Sequence, residues 1–419
     1  MRRFVRVLRV TLLALLAVLL VASVVHRMRS RAHPIQVAAA PPDAQHPGDG
    51  GVDAPIARAV APGAGARPPH APAMTHGDSR RTHRTGAKGP IAPKLLWQAQ
   101  LGGAVQGQIV ASPDEKTLYA ATLAGDLVAL DREGKERFRV PLGDRAYGAP
   151  CVDAAGTIYV GSDAKRFVAV HADGRVAFRL EVDDEADTPC AVGDDGLVYM
   201  AAGRTLYAVR PQGDIAWRFA AKGKIFTAPA LGGGGLVVVG SQDDSVYGVR
   251  AGKVVFATNL GADVDGAATL GDDDSIFVGT DAGEVVKLDA HGVIQWRRAA
   301  FGFVRGPLSL AANGDVFAGV YGPTPAQLRL EPSGGAIVGR FPVPGTGSTE
   351  FGVHGGLLED GTGAVYFGAQ DDGIYGIAPD GSLRFRFATG GDVDAPLTIL
   401  TDGALVAGSD DGFVYYFLP

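Results

Sequence analysis

The chain has 419 residues, rich in Gly (60) and Pro (26), with two cysteines and a net charge of −6 at pH 7. That charge is divided: residues 1–93 hold 13 Lys+Arg against 4 Asp+Glu, which leaves 26 against 41 for residues 94–419. An acidic main body excludes nucleic acid as a partner, because such binding needs basic grooves that displace counterions.

In chain order, Arg2, Arg3, Arg6 and Arg9 precede an apolar run from Val10 to Val25. The run is short for a spanning helix of about 20 residues and long for a signal core of about 7–15. Arg27, Arg29 and Arg31 follow, without a small-Xaa-small cleavage site. Residues 1–31 are therefore predicted to form one hydrophobic helix, an uncleaved signal-anchor, with a cleaved signal peptide as the alternative. The basic N-terminus stays inside, which puts the rest of the chain outside the cell inner membrane, in the periplasm. Residues 32–93 are Pro, Ala, Gly, His and Arg with almost no large apolar side chains, and are predicted to be a disordered linker. Their histidines read as solvated filler rather than a metal-binding tail.

From Trp97 onward a large aromatic recurs at Phe138, Phe178, Trp217, Phe256, Trp296, Phe341 and Phe385, at spacings of 41, 40, 39, 39, 40, 45 and 44 residues. A period near ~40 with strand-like content predicts a β-propeller, whose repeats bury their faces on one another. One strand of each repeat reads as Ile158-Tyr159-Val160-Gly161 or Val365-Tyr366-Phe367-Gly368, apolar on both faces and ending in Gly or Ala. A strand between two blades needs that pattern, and the small last residue predicts close backbone approach. Polar turns such as Ser409-Asp410-Asp411-Gly412 lead into a third strand, and a Gly-bearing turn leads to the aromatic strand. The repeat is thus a four-stranded antiparallel blade.

Eight sets of the first three strands occur, a lone fourth strand at Leu95–Ala99 precedes them, and the last set ends at Phe417. The N-terminal strand is predicted to complete the last blade, which removes an open sheet edge. The fold class is all-β, an eight-bladed propeller over residues 94–419. Seven blades follow instead if Gly319 to Gly356 is one distorted unit.

Gly156-Thr157-Ile158-Tyr159-Val160-Gly161-Ser162 and Val128-Ala129-Leu130-Asp131 with Gly134 resemble the repeat of the pyrroloquinoline-quinone-like propeller family. The resemblance covers roughly Lys94 to Pro419. It implies the fold but not quinone binding, since the repeat occurs in quinoprotein dehydrogenases and in non-catalytic scaffolds alike. One such scaffold is the lipoprotein of the outer-membrane β-barrel assembly machinery, from which this chain departs in having no cysteine before Cys151. The adjacent cysteine pair and long loops expected of a quinoprotein dehydrogenase are also missing.

Cys151 and Cys190 each follow a proline at matching places in neighbouring repeats. Two readings stay open for them: a disulfide in an oxidising compartment, or two buried thiols. No nucleophile elbow, phosphate loop, zinc helix or paired Cys-Xaa-Xaa-Cys is present, so no catalytic residues, cofactor or metal are assigned. Acid runs such as Asp272-Asp273-Asp274 fit turn chemistry.

The loops entering the innermost strands open on one mouth of the central channel. Their alignment gives a ring of Gln106, Gly148, Asp187, Thr227, Asp265, Arg305, Gly352 and Asp394, preceded by a ring that includes Tyr147, Phe226 and Phe351. The first ring is chemically varied, as expected where folding does not dictate the residue. Tyr147, Asp187, Phe226, Asp265, Arg305, Phe351 and Asp394 are therefore the candidate binding residues, suited to a cationic or peptide-like ligand. The expectation is a membrane-tethered, monomeric, non-catalytic scaffold that binds envelope proteins or peptides. A small-molecule or glycan sensor and a quinone-dependent dehydrogenase are the alternatives.

Overall fold

The computed structural model describes residues 73–344 and 351–419. They contain eight four-stranded antiparallel sheets, each one blade of a propeller. Blade 1 runs outward from Val110–Ala111 through Thr117–Ala121 and Asp126–Asp131 to Glu136–Pro141. Blades 6 and 7 begin separately at Ser309–Leu310 and Leu358–Glu359, so the irregular stretch between them is not one distorted unit. Lys94–Gln100 pairs with Phe413–Leu418, with Trp97 opposite Tyr416, and so completes blade 8.

Three sequence rules hold the ring together. Second strands such as Thr117–Ala121, Ile158–Ser162 and Val365–Ala369 are buried at every residue. Their apolar clusters lie between blades, Leu127 and Ala129 of blade 1 packing with Ile158 and Val168 of blade 2. Each fully buried Val or Leu contributes about 1.5–3 kcal/mol.

The small residue ending that strand lies against the next blade. A Cβ on Gly279 would stand 2.3 Å from Val304, and one on Gly408 would stand 2.6 Å from Val105.

The recurring aromatic is also an inter-blade contact, since in six of the blades the turn glycine of the following blade packs on it. Gly134, at φ +82°, lies against Trp97, Gly174 against Phe138, and Gly213 against Phe178. Trp97 also stacks on Tyr416 and donates its indole N–H to the Arg132 carbonyl at 2.8 Å.

Cys151 opens the innermost strand of blade 2, Cys190 immediately precedes that of blade 3 at Ala191–Val192, and the two form a disulfide with Cα atoms 5.6 Å apart.

The linker expected over residues 32–93 lies outside the described residues up to position 72, but its last stretch departs from the expectation. Residues 73–90 form a strap across one end of the channel. Backbone amides of Leu231, Leu270, Leu310 and Glu359 donate to the carbonyls of Ser79, Arg80, Thr82 and His83, and Ala73 pairs with Val152. His76 and Arg81 are fully buried and His83 is 1% exposed. Composition hid this because the strap contributes few apolar side chains. Its backbone carbonyls and the Arg81 guanidinium are satisfied by a channel wall built from other residues. The apolar run Val10–Val25 also lies outside the described residues, and no helix among those described is long and apolar enough to cross a membrane.

Candidate functional site

Each blade presents the same loop to the open mouth. The amide following the second strand donates to a carbonyl in the loop entering the innermost strand, as Asp163 does to Arg145 (2.8 Å), Asp281 to Asp263 (3.0 Å) and Asp410 to Asp392 (2.9 Å). The same bond joins Leu123 to Ala104, Gly203 to Glu185, Gln242 to Lys224, Tyr321 to Phe303 and Gln370 to Gly352. Two residues beyond each acceptor stand Gln106, Tyr147, Asp187, Phe226, Asp265, Arg305, His354 and Asp394. Each follows a fully buried apolar residue, from Val105 and Ala146 to Val353 and Val393.

The register expected from sequence is therefore one residue late at blades 2 and 4 and two residues early at blade 7. Tyr147 and Phe226 belong to the ring itself in place of Gly148 and Thr227. Thr227 is buried, its hydroxyl donating to the Gly240 carbonyl at 3.3 Å. His354 replaces Gly352, and Phe351, 9% exposed, packs with Val353, Leu357 and Phe367 rather than lining the mouth. The missed signal was an apolar-Xaa-Gly/Thr/Ala triplet, as in Val264-Asp265-Gly266 and Val353-His354-Gly355.

The turn after the second strand adds further acids, Asp163 of Gly161-Ser162-Asp163, Asp281 of Gly279-Thr280-Asp281 and Asp410 of Gly408-Ser409-Asp410, the last of which the sequence suggests only as turn chemistry. Arg305 donates through Nε to both oxygens of Asp281 at 3.1 Å, and its guanidinium lies 4.6 Å over the Phe303 ring. Gln106 donates to Asp410 at 2.7 Å, Gln242 to Asp265 at 3.5 Å, and Arg145 pairs with Asp163 at 3.0 Å. Tyr147 and Phe226 lie under Arg145 and Lys224 respectively, at 5.5 and 5.7 Å.

Crowded carboxylates resist ionisation. Desolvation, then Asp163 and Glu185, raise Asp187 to about 6. Desolvation, then Asp281 and Asp263, raise Asp265 to about 6. Desolvation and Asp394 do the same for Asp392, also about 6. His354 Nδ1 lies 3.9 Å from Asp394, and half of its side-chain surface (49%) faces open space. Desolvation opposes its charge, but Asp394 and Asp410 outweigh that and hold it above the ordinary histidine value.

Asp263, Asp265 and Asp281 each place an oxygen within 4.8 Å of the others, a donor set suited to a hard cation. The guanidinium of Arg305 already meets Asp281 there, at 3.0 Å.

Inside the mouth the channel is not a tunnel. His76 and His83 stack with centroids 4.4 Å apart, and the His76 amide donates to Gln108 at 2.7 Å. Arg81 donates to the carbonyls of Thr75 (2.7 Å), Pro229 (3.0 Å) and Cys190 (3.2 Å). Desolvation lowers Arg81 to about 10. A quinone cofactor, itself a polycarboxylate, would meet an excess of carboxylates at the mouth, and the strap already occupies the other end of the channel.

The eight closed blades form a β-propeller whose repeat resembles that of the pyrroloquinoline-quinone-like propellers, here with an acidic open mouth. The family model described as "Outer membrane protein assembly factor BamB" matches residues 92–189 and 174–253. BamB from Moraxella catarrhalis is similar in structure at 18% identity, covering 78% of this chain and 98% of its own, with a TM-score of 0.64. The computationally designed Ika8 protein matches at 16% identity, over 78% of this chain and all of that one (100%), with a TM-score of 0.63. A europium-containing methanol dehydrogenase matches at 10% identity, over 81% of this chain and 96% of that one, with a TM-score of 0.67. No curated protein matches the sequence. The chain thus resembles BamB in repeat and fold, and a fold shared with a dehydrogenase does not by itself decide between scaffold and enzyme.

Proposed function

We propose that the protein is a non-catalytic scaffold of the cell envelope, tethered to the inner membrane through residues 10–25, whose acidic mouth binds a cationic segment of a partner protein. The observation that carries this reading is the blind cup. The strap closes one end of the channel, and the open end gathers carboxylates in excess of the cations beside them. Asp187, Asp265 and Asp394 supply charge, while Tyr147 and Phe226 supply flat apolar faces for the stem of a Lys or Arg.

Two features support the placement. The Cys151–Cys190 disulfide suits an oxidising compartment. Residues 2–9 and 10–25 have the charge and apolarity of a signal-anchor.

The test is co-purification from membranes of the wild type and of D187N/D265N/D394N, with partners identified after cross-linking. The reading expects one envelope protein, with a basic segment cross-linked at the mouth, to be lost in the variant. Retention of the same partners by the variant refutes the mouth as the recognition surface. Capture of a glycan or small metabolite instead favours the sensor alternative.

A further inference from the structure

The strap contains two buried imidazoles that the proposed recognition does not use. His76 is fully buried with only the Gly355 backbone beside its ring to accept a hydrogen bond, and His83 is bonded only through Nε2, to the Leu397 carbonyl at 3.2 Å. The rings stack on each other beside the Arg81 guanidinium, and among the described residues no carboxylate bonds either ring.

The charged groups around the pair are few. Asp78 accepts from the Thr82 amide at 3.2 Å. Glu359 accepts from the Ala312 amide at 2.7 Å, and desolvation raises it to about 6. Arg84 reaches Asp272 at 3.5 Å. His354, on the mouth loop entering blade 7, is turned toward Asp394. A proton added to either stacked ring therefore meets Arg81 and its histidine neighbour, with no anion in contact to receive it.

From this geometry we infer that the strap is an acid-released closure: protonation of the His76–His83 pair undocks residues 73–85 and opens the far end of the channel. Release bares the inner-strand amides of Leu231, Leu270, Leu310 and Glu359, which the strap carbonyls otherwise accept from.

The direction agrees with the environment. Desolvation, then His83 and Arg81, hold His76 well below 6.5, and desolvation lowers His83 to about 4. A docked strap therefore refuses protons that a released one takes up. Docking is fully favoured above about 6.5 and weakens as pH falls toward about 4.

The experiment is hydrogen exchange on the full chain from pH 7.5 to 4, corrected for intrinsic rates. It compares wild type with H76Q/H83Q, with the single H83Q, and with the surface control H171Q. In wild type, protection of the Leu231, Leu270 and Leu310 amides should fall about a hundredfold between pH 7 and 4 while second-strand amides such as Val238 stay protected. H171Q should behave as wild type, and H83Q should lose a clear part of the pH dependence, with the remainder carried by His76. If H76Q/H83Q folds, its strap protection should be independent of pH. If it does not, H83Q alone decides. An identical pH profile in wild type and H83Q would overturn the inference. So would a strap that stays protected until the whole propeller unfolds.

Discussion

The two ends of the channel carry opposite charges under opposite conditions. At the strap end Arg81, His76 and His83 are sealed from water, and backbone carbonyls satisfy the Arg81 guanidinium. At the mouth, carboxylates crowd together in partial contact with water, and Asp187, Asp265 and Asp392 are pushed to about 6. Burial disfavours the charged form at both ends, but the consequence for pH differs in sign. Mouth acids bind protons more tightly in the folded protein, so their strain is relieved as pH falls through about 6. The strap histidines bind protons less tightly, so their contribution is lost over the same range. A single mild acidification therefore relaxes one end and loosens the other.

The largest way to break this contrast is to remove the segment that joins its two sides. Deleting residues 73–99 takes away both the strap and the strand opposite Phe413–Leu418. The expected outcome is aggregation or failure to fold, read by size-exclusion chromatography. A monomeric product with unchanged melting would refute both closures.

Arg81→Leu leaves the Thr75, Pro229 and Cys190 carbonyls without their shared donor. It should cost about 3 kcal/mol, measured by urea denaturation.

C151S/C190S removes a cross-link spanning 39 residues. It should cost about 2–4 kcal/mol on the same scale, with the disparity from wild type vanishing under reductant.

The smallest stability effect belongs to the mouth. D187N/D265N/D394N should raise stability at pH 7 by less than about 1 kcal/mol and flatten its dependence between pH 4 and 6. Marked destabilisation would make those carboxylates structural.

Much of the fold was legible because every blade obeys the same local rules. The apolar run ending in Gly, the recurring aromatic and the unpaired strand at Leu95–Ala99 together gave eight blades and their closure. The mouth was only half legible. Asp187, Asp265, Arg305 and Asp394 were found, because those loops follow the preceding blade at nearly constant spacing. His354 was missed because the wider spacing around Phe341 broke the count. Asp163, Asp281 and Asp410 were hidden because acids in turns are ordinarily backbone chemistry. The strap was not legible at all. Ala73 to Pro90 has a linker's composition, and its order comes from hydrogen bonds to inner strands far away in sequence, such as Leu231 and Leu310.

The most direct test of the central claim is the affinity of an arginine-rich hexapeptide for the full chain, measured by calorimetry at pH 7.5 and low salt. Wild type is compared with D187N/D265N/D394N and with D173N/D214N/D380N, which removes as many exposed acids from turns away from the mouth. The account predicts at least a tenfold loss for the mouth variant and little change for the control, with the wild-type affinity falling as salt rises. Equal losses in both variants would mean that the peptide senses only net charge, and an unchanged mouth variant would contradict recognition at the cup.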